Sequence, residues 1–260
     1  MRRSLCALLV ALCLVARADA FLLGALKFTS GSNQYVLAPA SSTLNNLNTV
    51  TVVMWASVTT LSPAAQRNFF GKSTGNNNWV GYMNAAGFQA AYGRSSGTGA
   101  LASAPPSSWS WMAVNQPLFL AFQSDINTTA NNRLLIGTLA YPASEPSSYT
   151  TQRTGSGTHD DSAAQMTIGN GSGGGTTNTL PGTVYTFQAF NRILATGEIR
   201  ELQYRWRPQY AGCVLSYRVG ANGPSSVKDE CNNQLHATVS GSPALTNDLL
   251  PRVSFRRPGL

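Results

Sequence analysis

The stretch Thr49–Val58 reads Thr-Val-Thr-Val-Val-Met-Trp-Ala-Ser-Val and is the clearest strand signal in the chain. It is rich in β-branched side chains and carries a tryptophan, and both kinds of residue favour extended backbone. Similar short runs, each bounded by Gly, Asn, Ser or Pro, recur on both sides of it. They cover residues 25–29, 34–38, 68–72, 79–84, 87–93, 118–123, 133–140, 165–169 and 183–190. Because no helical pattern separates these runs, the sequence predicts an all-β fold of two packed antiparallel sheets.

One short helix is predicted after these strands. Thr196 has the chemistry of an N-cap, and Glu198 lies in the positive first turn. Ile199, Leu202 and Trp206 recur at helical spacing. We expect this helix to pack against the edge of the sandwich.

The first twenty residues have the three parts of a secretory signal peptide. Arg2 and Arg3 precede an apolar run over residues 5–15, and Ala18-Asp19-Ala20 has the small-x-small pattern of a cleavage site. The run is about half of the roughly 20 residues that a membrane-spanning helix needs, so a signal anchor is less favoured. The sequence predicts cleavage after Ala20 and a secreted, extracellular mature chain with no membrane span.

Two cysteines remain in the mature chain, Cys213 and Cys231. In an oxidising compartment such a pair favours one disulfide, which the chain-entropy model credits with roughly 3 kcal/mol of stabilisation. Two free thiols are a poor fit to an extracellular protein. Metal binding is also less favoured, because His236 does not complete a recognised zinc spacing.

The chain is basic, with a formal net charge of +8, and loss of the signal peptide leaves +6. Arginines cluster twice, at Arg200, Arg205 and Arg207 and again at Arg252, Arg256 and Arg257. Neither cluster lies in a recognised aromatic-basic motif, so we expect no nucleic-acid partner. An acidic glycan or cell surface is the more natural electrostatic partner of a secreted basic protein. We expect no cofactor.

Three stretches resemble a laminin G-like domain of the concanavalin A-like jelly-roll superfamily. Residues 25–36 resemble its opening strands, and residues 49–55 resemble a central strand that ends in a core tryptophan. Residues 168–199 resemble its closing signature, in which Ile-Gly leads to a strand and then to a short helix. The resemblance covers residues 25 to about 206. It implies a jelly-roll sandwich and a role in recognition or adhesion.

Residues 213–218 and 227–241 resemble the start of such a domain, although they come last here. Either the jelly roll is permuted and they complete it, or a second copy begins and is cut short. We favour the permuted arrangement, because a stray fragment would leave apolar strands without packing partners. The predicted organisation is a signal peptide (1–20), a sandwich (21–210), a disulfide-containing segment that completes it (211–250) and a basic tail (251–260).

The sequence offers little that supports catalysis, and we expect neither an enzyme nor catalytic residues. Retaining glycosidases place two carboxylates about 5 Å apart, and no alternating pair of acids occurs in the mature chain. Glu198 and Glu201 have helical spacing, which favours helix stabilisation. Gln234-Leu235-His236 imitates a lyase motif, but its place in a turn-like stretch argues for coincidence. A polysaccharide-active enzyme remains the lowest alternative.

Calcium is the metal that some laminin G-like domains hold at the sandwich rim. The loop acids available are Asp125, Asp160 and Asp161. Calcium takes six to eight oxygen ligands, and scattered aspartates do not establish such a set. We expect these side chains to be solvated at the surface, and we predict no metal site.

Sugar binding requires exposed aromatic rings together with polar side chains for the hydroxyls. The candidate residues are Asn77, Asn78, Trp79, Tyr92 and Arg94. Tyr82, Trp109 and Trp111 have similar chemistry. The alternative for each aromatic residue is the core, because alternate aromatic residues on a strand usually point inwards.

Asn127 and Asn170 each begin an Asn-x-Ser/Thr sequon, which predicts glycosylation if the source is eukaryotic. The leading hypothesis is a recognition or adhesion module that binds an extracellular glycan or glycoprotein. The alternative is a structural building block that contacts copies of itself or other subunits of an extracellular assembly. Sparse charge and abundant Ser, Thr, Gly and Asn fit both.

Overall fold

The computed structural model describes residues 21–22, 24–74, 77–93, 99–155, 160–172, 174–205, 207, 210–246 and 249–250. The predicted signal peptide (1–20), the basic tail (251–260), Arg94 and Trp206 lie outside the described residues. Asn77 and Asn78 are described only in their backbone.

In the described part of the chain, strands dominate and one α-helix is present. The strands are β1 (Phe21–Leu22), β2 (Ala25–Phe28), β3 (Tyr35–Leu37), β4 (Thr49–Val58), β5 (Arg67–Thr74), β6 (Asn77–Asn84), β7 (Gly87–Gly93), β8 (Ala100–Ala104), β9 (Leu118–Asp125), β10 (Arg133–Gly137), β11 (Thr151–Arg153), β12 (Thr167–Ile168), β13 (Gly182–Phe190), β14 (Cys213–Arg218), β15 (Ser226–Val227), β16 (Ala237–Ser240), β17 (Ala244–Thr246) and β18 (Leu249–Leu250). The helix is α1 (Thr196–Tyr204).

The strands form two large antiparallel sheets and one small pair. The first sheet has the order β10-β9-β4-β13-β2-β17, with β14 also paired to β13. The second has the order β11-β8-β7-β6-β5-β12-β3-β16-β15, and β1 pairs with β18. The predicted fold class, an all-β two-sheet sandwich with one short helix, is confirmed.

The run that begins at Thr49 lies in the middle of the first sheet, and both of its faces are covered. Val52 and Met54 point into the core between the two sheets. Val53 and Trp55 point the other way, into a second apolar cluster that includes Ile199 of α1. Burial on both faces explains why residues 52–56 form a continuous apolar run instead of alternating.

The N-cap of helix α1 lies one residue before the predicted N-cap, Thr196. Ala195 is the N-cap residue, so Thr196 is already the first helical residue. Glu198 supplies the N3 half of a capping box, because its Oε2 accepts the Ala195 N–H at 2.8 Å. No helix in the described ranges is long and apolar enough to cross a bilayer.

The C-terminal segment contributes strands to both sheets. β14 pairs with the second half of β13 and β2 with its first half, so the two strands lie end to end along one edge. The close approach needs glycine, since a Cβ on Gly24 would lie 2.5 Å from the Gly220 carbonyl oxygen. β17 pairs with β2, and β16 pairs with β3 of the second sheet. The predicted disulfide between Cys213 and Cys231 is confirmed.

Candidate functional site

The aromatic residues predicted to bind sugar are inside the molecule. Trp79 on β6 is 1% exposed and Tyr92 on β7 is 0% exposed. The Trp79 ring lies 5.9 Å from the Phe70 ring, and the Tyr92 hydroxyl donates to the Leu47 carbonyl. Neither ring therefore has a solvent-facing surface on which a sugar could stack, because both are core residues.

A buried ionic cluster explains why Trp79 points inwards. The Asp161 carboxylate accepts hydrogen bonds from the Lys72 ammonium (2.9 Å), Trp79 Nε1 (2.9 Å) and the Asn46 N–H (2.8 Å). Lys72 Nζ also donates to Asn45 Oδ1 at 3.1 Å and to the Asp161 carbonyl at 2.6 Å. Burial lowers the pKa of Lys72, and Asp161 opposes that shift. This cluster, hereafter the Asp161 cluster, ties two loops to β5 and β6.

The other calcium candidates also have protein partners. Asp125 is buried, and its carboxylate accepts from the Asn127 N–H at 2.7 Å and from Asn131 Nδ2 at 2.8 Å. Asp160 is exposed and accepts from the Ser162 hydroxyl and N–H. The expected surface solvation therefore holds for Asp160 but not for Asp125 and Asp161, which anchor loops. No group of three potential metal ligands occurs among the described residues.

The two sequons differ in accessibility. Asn127 is exposed in the loop after β9. Asn170 is fully buried, and its Nδ2 donates to the Gln34 carbonyl (3.3 Å), the Gly175 carbonyl (2.8 Å) and Thr179 Oγ1 (3.0 Å). A glycan would be attached to that nitrogen, so the folded chain encloses the acceptor atom at Asn170 and leaves Asn127 open.

A polar cleft of about 720 Å³ lies in the C-terminal segment, where the chain crosses from β14 in the first sheet to β15 and β16 in the second. Sequence reasoning did not find it as a site. It is lined by Arg218, Asn222, Lys228, Asp229, Glu230, Cys231, Asn232, Gln234 and His236. Two of its lining residues, Gln234 and His236, belong to the stretch that imitates a lyase motif in the sequence.

Asp229 holds the loop that forms one wall of this cleft. It is 2% exposed, and its Oδ1 accepts the N–H groups of Ser216 (2.9 Å) and Cys231 (3.0 Å), while Oδ2 accepts that of Leu235 (2.9 Å). The Asp229 N–H donates to His236 Nδ1 at 3.1 Å. The disulfide at Cys231 fixes the same loop to β14. We call this arrangement the Asp229 loop (residues 228–236).

Tyr217 supports the loop from below. Its hydroxyl donates to the Leu235 carbonyl, and its ring is fully buried. Burial, with a smaller contribution from the Asp229 charge, raises the pKa of Tyr217. The hydroxyl therefore remains protonated and continues to donate at any physiological pH.

The polar side chains of the cleft fall into two groups. Arg218 and Glu230 are paired, with Nε and Nη2 of Arg218 at 2.6 and 2.5 Å from Glu230 Oε1. By contrast, no partner is found within the described ranges for the side chains of Asn222, Lys228, Asn232 and Gln234. His236 uses Nδ1 inside the loop, which leaves Nε2 as its second polar atom. The cleft thus presents amides and an ammonium group on a fixed frame.

Solved structures of similar fold were found. A candidate carbohydrate-binding protein from Bacteroides ovatus is 14% identical, with 86% of this chain and 59% of that chain covered and a TM-score of 0.54. The chain therefore spans about three fifths of that protein. The chain shares a β-sandwich fold with that protein. The SAP-like pentraxin of Limulus polyphemus (12% identity, 88% and 94% covered, TM-score 0.43) and mouse laminin α1 domains LG4-5 (8%, 69% and 45%, 0.44) are more distant.

No protein-family model matches the chain, and no curated protein is significantly similar to it. The structure establishes a two-sheet β-sandwich, and the chemistry of the site depends on its own geometry.

Proposed function

We propose that the chain is a secreted, non-catalytic glycan-binding module of the laminin G-like type, and that the cleft beside the disulfide is its glycan site. One observation carries the proposal. Four side chains able to hydrogen bond, Asn222, Lys228, Asn232 and Gln234, converge on a cleft whose frame already satisfies its own polar groups.

Sugar hydroxyls both donate and accept, and amide side chains offer both functions in one group. The Asp229 loop is fixed by the buried carboxylate and the disulfide, so it loses little conformational entropy when a ligand binds. Lys228 adds a cationic donor, and the chain as a whole is basic. These features favour a polyhydroxylated ligand that carries negative charge.

The fold is compatible with this role. The Bacteroides ovatus protein of the same fold is described as a candidate carbohydrate-binding protein. One fold can host many functions, so the fold only supports the proposal, which rests on the residues of the cleft.

The acids of the cleft do not provide the pair that glycoside hydrolysis needs. Both oxygens of Asp229 accept backbone N–H groups, and Glu230 is paired with Arg218. Neither carboxylate is therefore placed to protonate a leaving group or to attack a sugar ring. Binding without turnover is the function that the geometry supports best.

We further propose that residues 21–250 form one exported domain that begins after cleavage at Ala20. The pairing of β14 with β13 and of β16 with β3 supports a permuted sandwich. The disulfide fits an oxidising compartment.

A glycan array probed with residues 21–260, produced with the disulfide formed, tests the function. We expect selective binding to acidic glycans, and we expect the double variant Lys228→Ala, Asn232→Ala to lower affinity at least about tenfold, because charged and neutral hydrogen bonds are lost together. Lys27→Ala is the matched control, since it removes one exposed lysine from β2. Absence of binding by the wild type, or equal affinity of the two variants, would contradict the proposal.

One observation favours the alternative of a structural building block. β17 is an edge strand of the first sheet, and its Leu245 is 45% exposed. An exposed apolar edge can pair with another chain. If the protein assembles, Leu245→Lys should abolish higher-order species in size-exclusion chromatography and leave glycan binding unchanged.

A further inference from the structure

A pair of stacked aromatic rings lies away from the cleft, at one end of the first sheet. The rings of Trp111 and Tyr141 are 5.1 Å apart and nearly parallel, at 7°. Their loops emerge at the same end because Phe119 of β9 pairs with Gly137 of β10. Trp111 packs against the core, whereas Tyr141 is 48% exposed. We call this pair the aromatic ledge.

The turn that carries Tyr141 is held by several hydrogen bonds. The Tyr141 carbonyl accepts from the Thr138 N–H at 2.9 Å and from Gln203 Nε2 at 2.8 Å, and its N–H donates to Thr138 Oγ1 at 3.1 Å. Gln203 is a buried residue of α1, and its Oε1 also accepts the Ala143 N–H at 2.7 Å. The exposed ring is therefore presented by a rigid turn.

Gly137 makes this arrangement possible. A Cβ at this position would lie 2.6 Å from Gln203 Nε2 and 2.8 Å from the Tyr141 carbonyl oxygen. Any larger residue would displace the glutamine that holds the turn. The sequence thus keeps a small residue where the helix must reach the turn.

The loop that carries Trp111 is also ordered. Gln116 Nε2 donates to the Trp111 carbonyl at 3.3 Å. Asn115 has a φ of 59°, and its N–H donates to the Val58 carbonyl at 2.8 Å. Ser110 and Asn115 are exposed in this loop, and no partner is found for their side chains in the described part of the chain.

We propose that the aromatic ledge is a second carbohydrate site, at which the outer face of Tyr141 stacks on the apolar C–H face of a neutral hexopyranose. Trp111 covers one face of the tyrosine ring and supports it from the core side, which leaves the other face for a ligand. Ser110 and Asn115 supply hydroxyl and amide groups from the adjacent loop. The ligand class rests on the proposed function, but the site does not share residues with the cleft.

The size of the exposed apolar surface favours a sugar over a protein. Beside Tyr141, the large exposed apolar side chain nearest in these loops is Val114. A stable protein interface buries about 800 Å² on each partner, which two side chains do not approach. A single pyranose ring matches one aromatic ring in area.

Saturation-transfer NMR with methyl β-D-galactopyranoside tests the site. We expect the strongest saturation on the protons of the apolar face of the sugar. Tyr141→Phe keeps the stacking ring and should retain the signal, whereas Tyr141→Ala removes the ring and should lower affinity about three- to tenfold. Thermal unfolding checks that both variants fold.

The outcomes separate this inference from the proposed function. Lys228→Ala should leave galactoside saturation unchanged, and loss of the signal in that variant would overturn the ledge. Equal signals for Tyr141→Ala and the wild type, or no signal from the wild type, would also overturn it. Acidic-glycan binding that depends on Lys228 would then still stand. Conversely, galactoside binding that depends on Tyr141 would stand if the array showed no binding at the cleft.

Discussion

The Asp161 cluster and the Asp229 loop are each built around one buried aspartate, yet they have opposite consequences. Asp161 is satisfied mainly by the side chains of Lys72 and Trp79 on neighbouring strands, which draws both into the interior. Asp229 is satisfied by backbone N–H groups alone, those of Cys231 and Leu235 in its own loop and that of Ser216 on β14, so the loop side chains remain outside. The group that satisfies a buried carboxylate thus decides whether nearby polar chemistry becomes structural or available.

The largest expected effect is at Asp161. Asp161→Ala leaves the buried Lys72 ammonium without its ionic partner, which should destabilise the chain by about 3–5 kcal/mol in urea denaturation. Asp160→Ala, next to it but exposed, is the matched control and should destabilise the chain far less. Equal destabilisation by the two variants would mean that the Asp161 cluster is not the structural centre described above.

The disulfide should have the next largest effect, and it should act on the other region. Cys213→Ser with Cys231→Ser removes the constraint on an 18-residue separation, and we expect a loss of about 3 kcal/mol. Because the bridge fixes the Asp229 loop, hydrogen exchange should increase over residues 228–236 and stay unchanged near Asp161. An equal increase in hydrogen exchange in the Asp229 loop and near Asp161 would show that the disulfide does not act specifically on the Asp229 loop.

Asp229→Asn sharpens the comparison further, because it keeps shape and removes charge. An amide cannot accept on its Nδ2 side, so at least one of the three backbone N–H groups loses its acceptor. We expect a loss of about 1–3 kcal/mol in urea denaturation together with weaker acidic-glycan binding. Retained binding in this variant would show that the cleft does not need the fixed loop.

Local patterns in the sequence predicted the features that depend on neighbours in the chain. The strand at Thr49 and the helix at Ile199 follow from periodicity, and the disulfide follows from the two cysteines that remain in the predicted mature chain. The burial of Trp79 depends on Asp161, a long-range contact that no local pattern reports. The cleft and the aromatic ledge were missed for the same reason. Arg218 and His236 come together in the cleft, and Trp111 and Tyr141 in the ledge, only after the sheets form.

Glu198 is a third carboxylate with a close partner, and it is more exposed to solvent than Asp161 or Asp229. Arg192 binds it through two hydrogen bonds of 2.7 and 3.0 Å, which lowers the pKa of Glu198 from 4.5 to about 2. A carboxyl whose pKa is lowered on folding adds stability above its unfolded pKa, and that stability is lost as the pH falls towards 2.

The free energy of unfolding, measured by urea denaturation between pH 5 and 2, should therefore fall less steeply with pH for Glu198→Gln than for the wild type. The difference should be less than about 1 kcal/mol because solvent screens the pair. Identical pH profiles would mean that the Arg192 contact adds nothing to folding. A loss of stability as large as that of Asp161→Ala would mean that the Arg192–Glu198 pair contributes as much as the buried Lys72–Asp161 pair.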